Sequence, residues 1–268
     1  AVLASIPFLA PHCGFIALFA LVPLLCAERL ATLCKMKRFF WVHYSCFVLF
    51  NALTTFWVCN ATIGGGIFAI TANALQMSVI FALFRLSRRR FSGVLPYLFL
   101  MFAWIAWERW YLTSAQISWP WLVLGNAFAR SLRCIQWYEY TGTLGGSLWI
   151  WLGNLGIFAA MVCLADGRIF RWKRKARIGF SAALAAVLAA PFILSAVIWS
   201  NYEEKGDSLD VLIAQPNIDP YHKFGHLTQS EQNAILIGQL EEGLAFRKGD
   251  STAAPLLALA PEPFTHDV

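Results

Sequence analysis

Charge is what this sequence has least of. Asp, Glu, Lys and Arg make up 13% of the 268 residues and 59% are apolar, whereas soluble domains are about a quarter charged. That balance excludes an ordinary water-soluble domain. Paired cysteines are also missing. The seven stand singly at 13, 26, 34, 46, 59, 134 and 163, with no CxxC and no paired histidines, which gives neither a metal site nor a disulfide framework. No cysteine follows residue 199. No basic stretch precedes the first apolar run, so a signal peptide is not expected. Ala1 opens inside an apolar run and Val268 closely follows Glu262, so both ends are expected to be cut.

What is present is long apolar blocks. A bilayer core of ~30 Å takes roughly 20 apolar residues in a helix. A partial span is predicted over 1–10 and full spans over 13–28, 39–59, 67–85, 94–112, 145–165 and 178–199. The fifth is marked by Pro96 inside it and by Glu108-Arg109 near its end. The net charge of +6 does not point to nucleic acid, because of where it sits. Arg29, Lys35, Lys37 and Arg38 occupy one loop, Arg85, Arg88, Arg89 and Arg90 the next but one, and Arg168 to Arg177 a third. Fourteen of the 21 basic residues thus fall in alternate loops, the pattern of cytoplasmic loops in a multi-pass protein. Loops 60–66 and 113–144, and everything after Trp199, are expected to face outward.

The outward side is rich in tryptophan. An aromatic belt accounts for several indoles. It accounts less well for Ser118-Trp119-Pro120-Trp121-Leu122-Val123-Leu124-Gly125-Asn126 followed by Gln136-Trp137-Tyr138-Glu139. A loop of this length and composition points to function, and a lipid-facing groove is the hypothesis. Asn51, Asn73, Gln76 and Asn154 lie within spans and are read as hydrogen bonds between helices.

After residue 200 the grammar changes. Asn201 to Asp207 reads as a polar linker and Leu209 to Ala214 as a strand. Thr228-Gln229-Ser230-Glu231 reads as a capping box. A helix follows with Ile237, Leu240 and Leu244 on one stripe, closed by Gly249, and then a second strand over 256–260. Strand–helix–strand builds a parallel sheet, and two strands with one helix need more chain to form a domain. Pro261 ends the second strand, leaving Glu262 either as a solvated turn residue or as a carboxylate at the C-terminal rim of a sheet, where α/β folds place chemistry.

Taken in order, Trp119-Pro120-Trp121-Leu122, Leu124-Gly125-Asn126, Gln136 to Gly142, Gly145-Gly146-Ser147, Asn154, Gln215 to Pro220, Lys223-Phe224 and Pro261-Glu262 resemble apolipoprotein N-acyltransferase, especially versions from Bacteroidetes-like bacteria. The likeness runs over nearly the whole chain and rests on order and spacing, not on any single motif. It implies a polytopic α-helical membrane domain over 1–199, of six to seven spans, followed over 200–268 by the beginning of an α/β nitrilase-like domain (an αββα sandwich). It also implies a multi-pass protein of the bacterial inner membrane whose C-terminal part is periplasmic. The implied reaction moves an acyl chain from a membrane phospholipid to the N-terminal amine of a diacylated apolipoprotein through a cysteine thioester, with no cofactor, metal or nucleic acid. Glu262 then matches the general base of a Glu–Lys–Cys triad. Trp119, Trp121, Glu139, Lys223 and Phe224 become substrate-binding candidates, with Phe224 standing where better-known members carry Trp. The triad Lys and Cys have no counterpart in these residues, so the fragment by itself is expected to be inactive. A transporter, a non-catalytic nitrilase-fold membrane protein and a membrane-tethered amidase remain the alternatives.

Overall fold

The structure, a computed structural model, describes residues 1–114, 119–207, 209–219, 227–247 and 256–260. Its chain divides into two compact units, Ala1–Tyr202 and Glu203–Val268.

The first unit is all helical: α1 (Val2–Leu9), α2 (Val22–Leu33), α3 (Phe39–Thr55), α4 (Ile63–Ser87), α5 (Leu95–Thr113), α6 (Tyr138–Ala165), α7 (Arg168–Arg171) and α8 (Arg174–Ser200). Among the described residues five stretches are long and apolar enough to cross a membrane: Gly14–Leu33, Phe39–Asn60, Ile63–Ser87, Tyr138–Ala165 and Arg174–Ser200. The unit is thus a polytopic helical membrane domain. The α5 helix is not among them, because its tryptophans, tyrosines and the Glu108-Arg109 pair lower its mean hydropathy. It nevertheless packs between α4 and α6. Rings carry that packing inward: Phe47 of α3 lies 5.8 Å from Trp104 of α5, which lies 5.4 Å from Trp151 of α6.

Three boundaries differ from the hydrophobic pattern. The span predicted over 13–28 is a 3₁₀ turn, Gly14–Leu18, then a break, then α2. Pro23 sits in the first turn of α2, where its missing N–H costs nothing. Asn154 of α6 holds the break. Its Oδ1 accepts from Leu21 N at 2.7 Å and its Nδ2 donates to Ala17 O at 2.7 Å, so the backbone groups freed by the break are satisfied inside the bundle. Helix α4 begins at Ile63 and α6 at Tyr138, both ahead of the predicted starts. The long α6 contains a kink at Gly142, whose φ of 64° is open to glycine but costly for other residues.

The intramembrane amides do join helices. Asn73 of α4 donates to Asn51 of α3 at 2.6 Å, and Gln76 of α4 accepts from Trp107 of α5 at 3.0 Å. At the basic end, the buried Glu28 of α2 is bound by Arg88 and by Thr32, with Arg85 at 3.5 Å. Asp166 receives Arg29 at 2.7 Å and Arg168 at 2.9 Å.

The second unit contains β1 (Asp210–Ile213), α9 (Gln229–Arg247) and β2 (Leu256–Leu259). The strands pair in parallel, Asp210 opposite Leu256 through Ile213 opposite Leu259. The capping box forms as read: Thr228 N donates to Glu231 Oε2 at 2.8 Å and Glu231 N to Thr228 Oγ1 at 3.3 Å. The helical stripe is corrected. Leu236 is buried, while Ile237 and Leu244 are more than a third exposed. The phase is set by Gly243, where a Cβ would run into the Leu212 side chain of β1. One side of the sheet stays open, with Val211, Ile213, Leu257 and Leu259 all exposed, and no nitrilase-like sandwich is assembled from these residues. Gly249 lies outside the described residues.

Candidate functional site at the aromatic loop

The loop from Trp119 to Trp137 is built of three short 3₁₀ turns, Pro120–Leu122, Leu124–Phe128 and Leu132–Cys134. The turns close their own backbone hydrogen bonds, Val123 N to Pro120 O and Asn126 N to Val123 O among them, and the groups around the loop fix where it sits. Ser195 of α8 accepts from Gln136 N at 3.1 Å, and three further neighbours hold the part around Leu124 and Gly125. Glu108, near the C-terminal end of α5 and 1% exposed, accepts through one oxygen from Trp104 Nε1 at 3.0 Å and from Leu124 N at 2.8 Å. Ser147 of α6 accepts from Gly125 N at 3.0 Å. Tyr138 donates its hydroxyl to Gly125 O at 2.9 Å. Within the loop, Asn126 Nδ2 reaches back to Pro120 O at 2.8 Å.

Gly125 is required by contact. A Cβ there would overlap the Thr143 carbonyl oxygen. The kink at Gly142 turns the first turn of α6 so that Tyr138 and Thr143 both reach Gly125. The sequence Gly142-Thr143-Leu144-Gly145-Gly146-Ser147 thus reads as a seat for the loop, with Ser147 as its hydrogen-bonding group.

The seat fixes where the loop's indoles go. Trp119 and Trp121 meet edge-to-face at 4.9 Å, and Trp57, from the 3₁₀ turn Phe56–Asn60 after α3, stacks on Trp119 at 6.4 Å and meets Trp121 at 5.7 Å. Trp57 and Trp121 are each about half exposed. The Trp119 Nε1 is buried without a hydrogen-bond partner among the described residues. The result is an apolar, partly open surface of three indoles, suited to an acyl chain.

Two of the predicted site residues, Trp119 and Trp121, are therefore brought together. Glu139 lies exposed on the first turn of α6, and no contact with the indole cluster is found for it among the described residues. Lys223, Phe224 and Glu262 lie outside the described residues. Trp57 was missed by sequence reasoning. It stands in a separate outward turn, and only the folded bundle closes that turn against the loop. Glu108 was noticed, but its burial and its role as the loop's anchor were not readable from its place beside Arg109, which is exposed. All seven cysteines are free thiols, and among the described residues no cluster of His, Cys, Asp or Glu is placed to hold a metal.

Residues 1–156 match the family model described as the apolipoprotein N-acyltransferase N-terminal domain. The chain belongs to the apolipoprotein N-acyltransferase family. The matched segment contains every residue of the loop, its seat and the indole cluster. The chain is also similar to the apolipoprotein N-acyltransferase of Chlorobaculum tepidum, 28% identical over 224 residues that cover 83% of this chain and 40% of that protein. It thus spans less than half the length of this N-acyltransferase relative. No solved structure matches.

Proposed function

We propose that this chain is the membrane-embedded part, with the first elements of the outward domain, of an enzyme that acylates the N-terminal amine of diacylglyceryl-cysteine lipoproteins. The family match over residues 1–156 supports the reading. The observation that carries it is the Trp57–Trp119–Trp121 surface on the loop that Glu108 and Ser147 hold at Leu124 and Gly125. Both substrates are lipids, and an aromatic surface at headgroup height would hold an acyl chain while its ester is attacked.

In this reading, a cysteine thiol supplied by chain outside these 268 residues attacks the ester carbonyl of a phospholipid. The S–C bond forms, the ester C–O bond breaks, and the lysophospholipid leaves with the thiol's proton, relayed by Glu262. The lipoprotein's amine then attacks the thioester. An amide N–C bond forms, the C–S bond breaks, and Glu262 returns the amine's proton to the thiolate. Lys223 and Phe224 are assigned to the rim of the acyl site, where the Phe ring serves as an apolar contact. Residues 200–268 are assigned to the start of a nitrilase-like, carbon–nitrogen-hydrolase-type domain on the periplasmic face of the inner membrane.

The test is acyl transfer from phosphatidylethanolamine to a diacylated lipopeptide by the full encoded protein. Glu262→Gln should lower thioester formation by at least about 100-fold with membrane insertion unchanged. Acyl-enzyme accumulating at the normal rate in that variant would overturn the assignment of the base.

A further inference from the structure

At the opposite end of α5 and α6 from the aromatic loop lies a cavity of about 660 Å³. Its lining is divided by chemistry. Arg29, Arg88 and Arg168 line it, and so do Tyr97, Met101, Phe158 and Val162 of the facing helix surfaces. Arg88 joins the two sets: its guanidinium sits 5.8 Å from the Tyr97 ring, which lies 5.6 Å from Phe158.

The local charges do not cancel. Asp166 is shared by Arg29 and Arg168, and Glu28 by Arg85 and Arg88. Three guanidinium groups line the cavity against the two carboxylates that pair with them, so one positive charge remains over there, and Arg85 shares Glu28 from outside the lining. The N-terminus of α5 opens on the same space through Val94 and Pro96, and no side chain caps it. Pro96 has no N–H and Tyr97 N is taken by Val94 O, so what this end adds to the attraction for an anion is the helix dipole.

We infer that this cavity binds one anionic phospholipid, its phosphate among Arg29, Arg88 and Arg168 and an acyl chain along the groove between α5 and α6. A free phosphate would use the guanidinium groups but leave the apolar wall wet. A zwitterionic lipid would fill the wall but leave the excess charge unmatched. A phospholipid with net negative charge satisfies both, in keeping with the behaviour of basic pockets between membrane helices. Because the site lies at the basic-loop end of the bundle, this lipid occupies the leaflet opposite the aromatic loop and is separate from any acyl donor used there. Its role is to brace the α5–α6 pair, whose other ends seat the loop.

The test is native mass spectrometry of the full encoded protein, delipidated and then supplied with equal amounts of cardiolipin and phosphatidylethanolamine. One retained cardiolipin per protein is expected, favoured by roughly 5-fold for one uncompensated charge, and millimolar inorganic phosphate should not displace it. Arg168→Gln, at a half-exposed position where the fold is not at risk, should weaken retention several-fold. Ala159→Trp, which fills the groove without touching a charge, should abolish it. Equal retention of the two lipids, displacement by phosphate, or retention undiminished in either variant would each overturn the assignment.

Discussion

Buried polar residues decide the local structure of the membrane unit, and they are few enough to be weighed one by one. Glu108 is the most consequential. Its carboxylate takes two donors from different elements, one an indole and the other the backbone of the aromatic loop. Replacement by Gln keeps an acceptor oxygen at that place, and replacement by Leu removes it. Leaving the Leu124 N–H and the Trp104 indole without partners costs about 1–3 kcal/mol each. Glu108→Leu should therefore loosen the loop, seen as faster protease cleavage between Trp119 and Trp137 and a red shift in tryptophan emission, while Glu108→Gln stays close to the parent protein. If the two variants behave alike, Glu108 does not anchor the loop. The adjacent Arg109 makes a useful control because it is exposed.

Among elements, α9 is the one whose start has a titrating group outside the membrane helices. Glu231 accepts from both the backbone N–H and the hydroxyl of Thr228, and these bonds hold its carboxyl below the usual carboxylate range. A group with a depressed folded value stabilises above its unfolded pKa and loses that contribution as pH falls through the folded value. The first turn of α9 should therefore lose amide protection, measured against the exchange rate of an unstructured peptide at the same pH, as pH is lowered from neutrality to below 4, roughly the unperturbed value. Glu231→Gln should show low protection throughout and little of this dependence. A pH profile in the variant equal to that of the parent would show that the box does not hold the helix start.

The same helix shows how much could be read in advance. Its cap was legible because capping is local, set by two side chains three residues apart. Its buried stripe was misread because the phase depends on which residue can approach β1, and a glycine, not a leucine, makes that approach. The interhelical roles of Asn51, Asn73, Gln76 and Asn154 were legible because a polar amide inside an apolar span has few other uses. The break before α2 was not, although Pro23 marks the start of that helix. Its compensation comes from Asn154, more than a hundred residues away. Trp57 escaped for the same reason: adjacency across loops is a property of the closed bundle.

For the whole molecule, the open question is which side each loop faces. The basic loops and the aromatic loop lie at opposite ends of α5 and α6, so one measurement of sidedness orients both proposed lipid sites. Cys34 is exposed in the first basic loop, while Tyr140 and Tyr202 are highly exposed at the start of α6 and just after α8. In a background with the other six cysteines of these residues and the proposed nucleophile replaced, a membrane-impermeant maleimide applied to intact spheroplasts should leave Cys34 unlabelled until the membrane is opened. With Cys34 replaced as well, Tyr140→Cys and Tyr202→Cys should react at once. The opposite result would place the indole surface in the cytosol. A lipoprotein amine displayed outside the cell membrane could not reach it, and the acyl-transfer reading would fail, while anionic lipid would then have to be drawn from the outer leaflet. Cys34 and Tyr202→Cys reacting from the same side would instead show that the number of crossings between them is even. At least one of the apolar helices, or α5 with its lower hydropathy, would then lie along the membrane without spanning it.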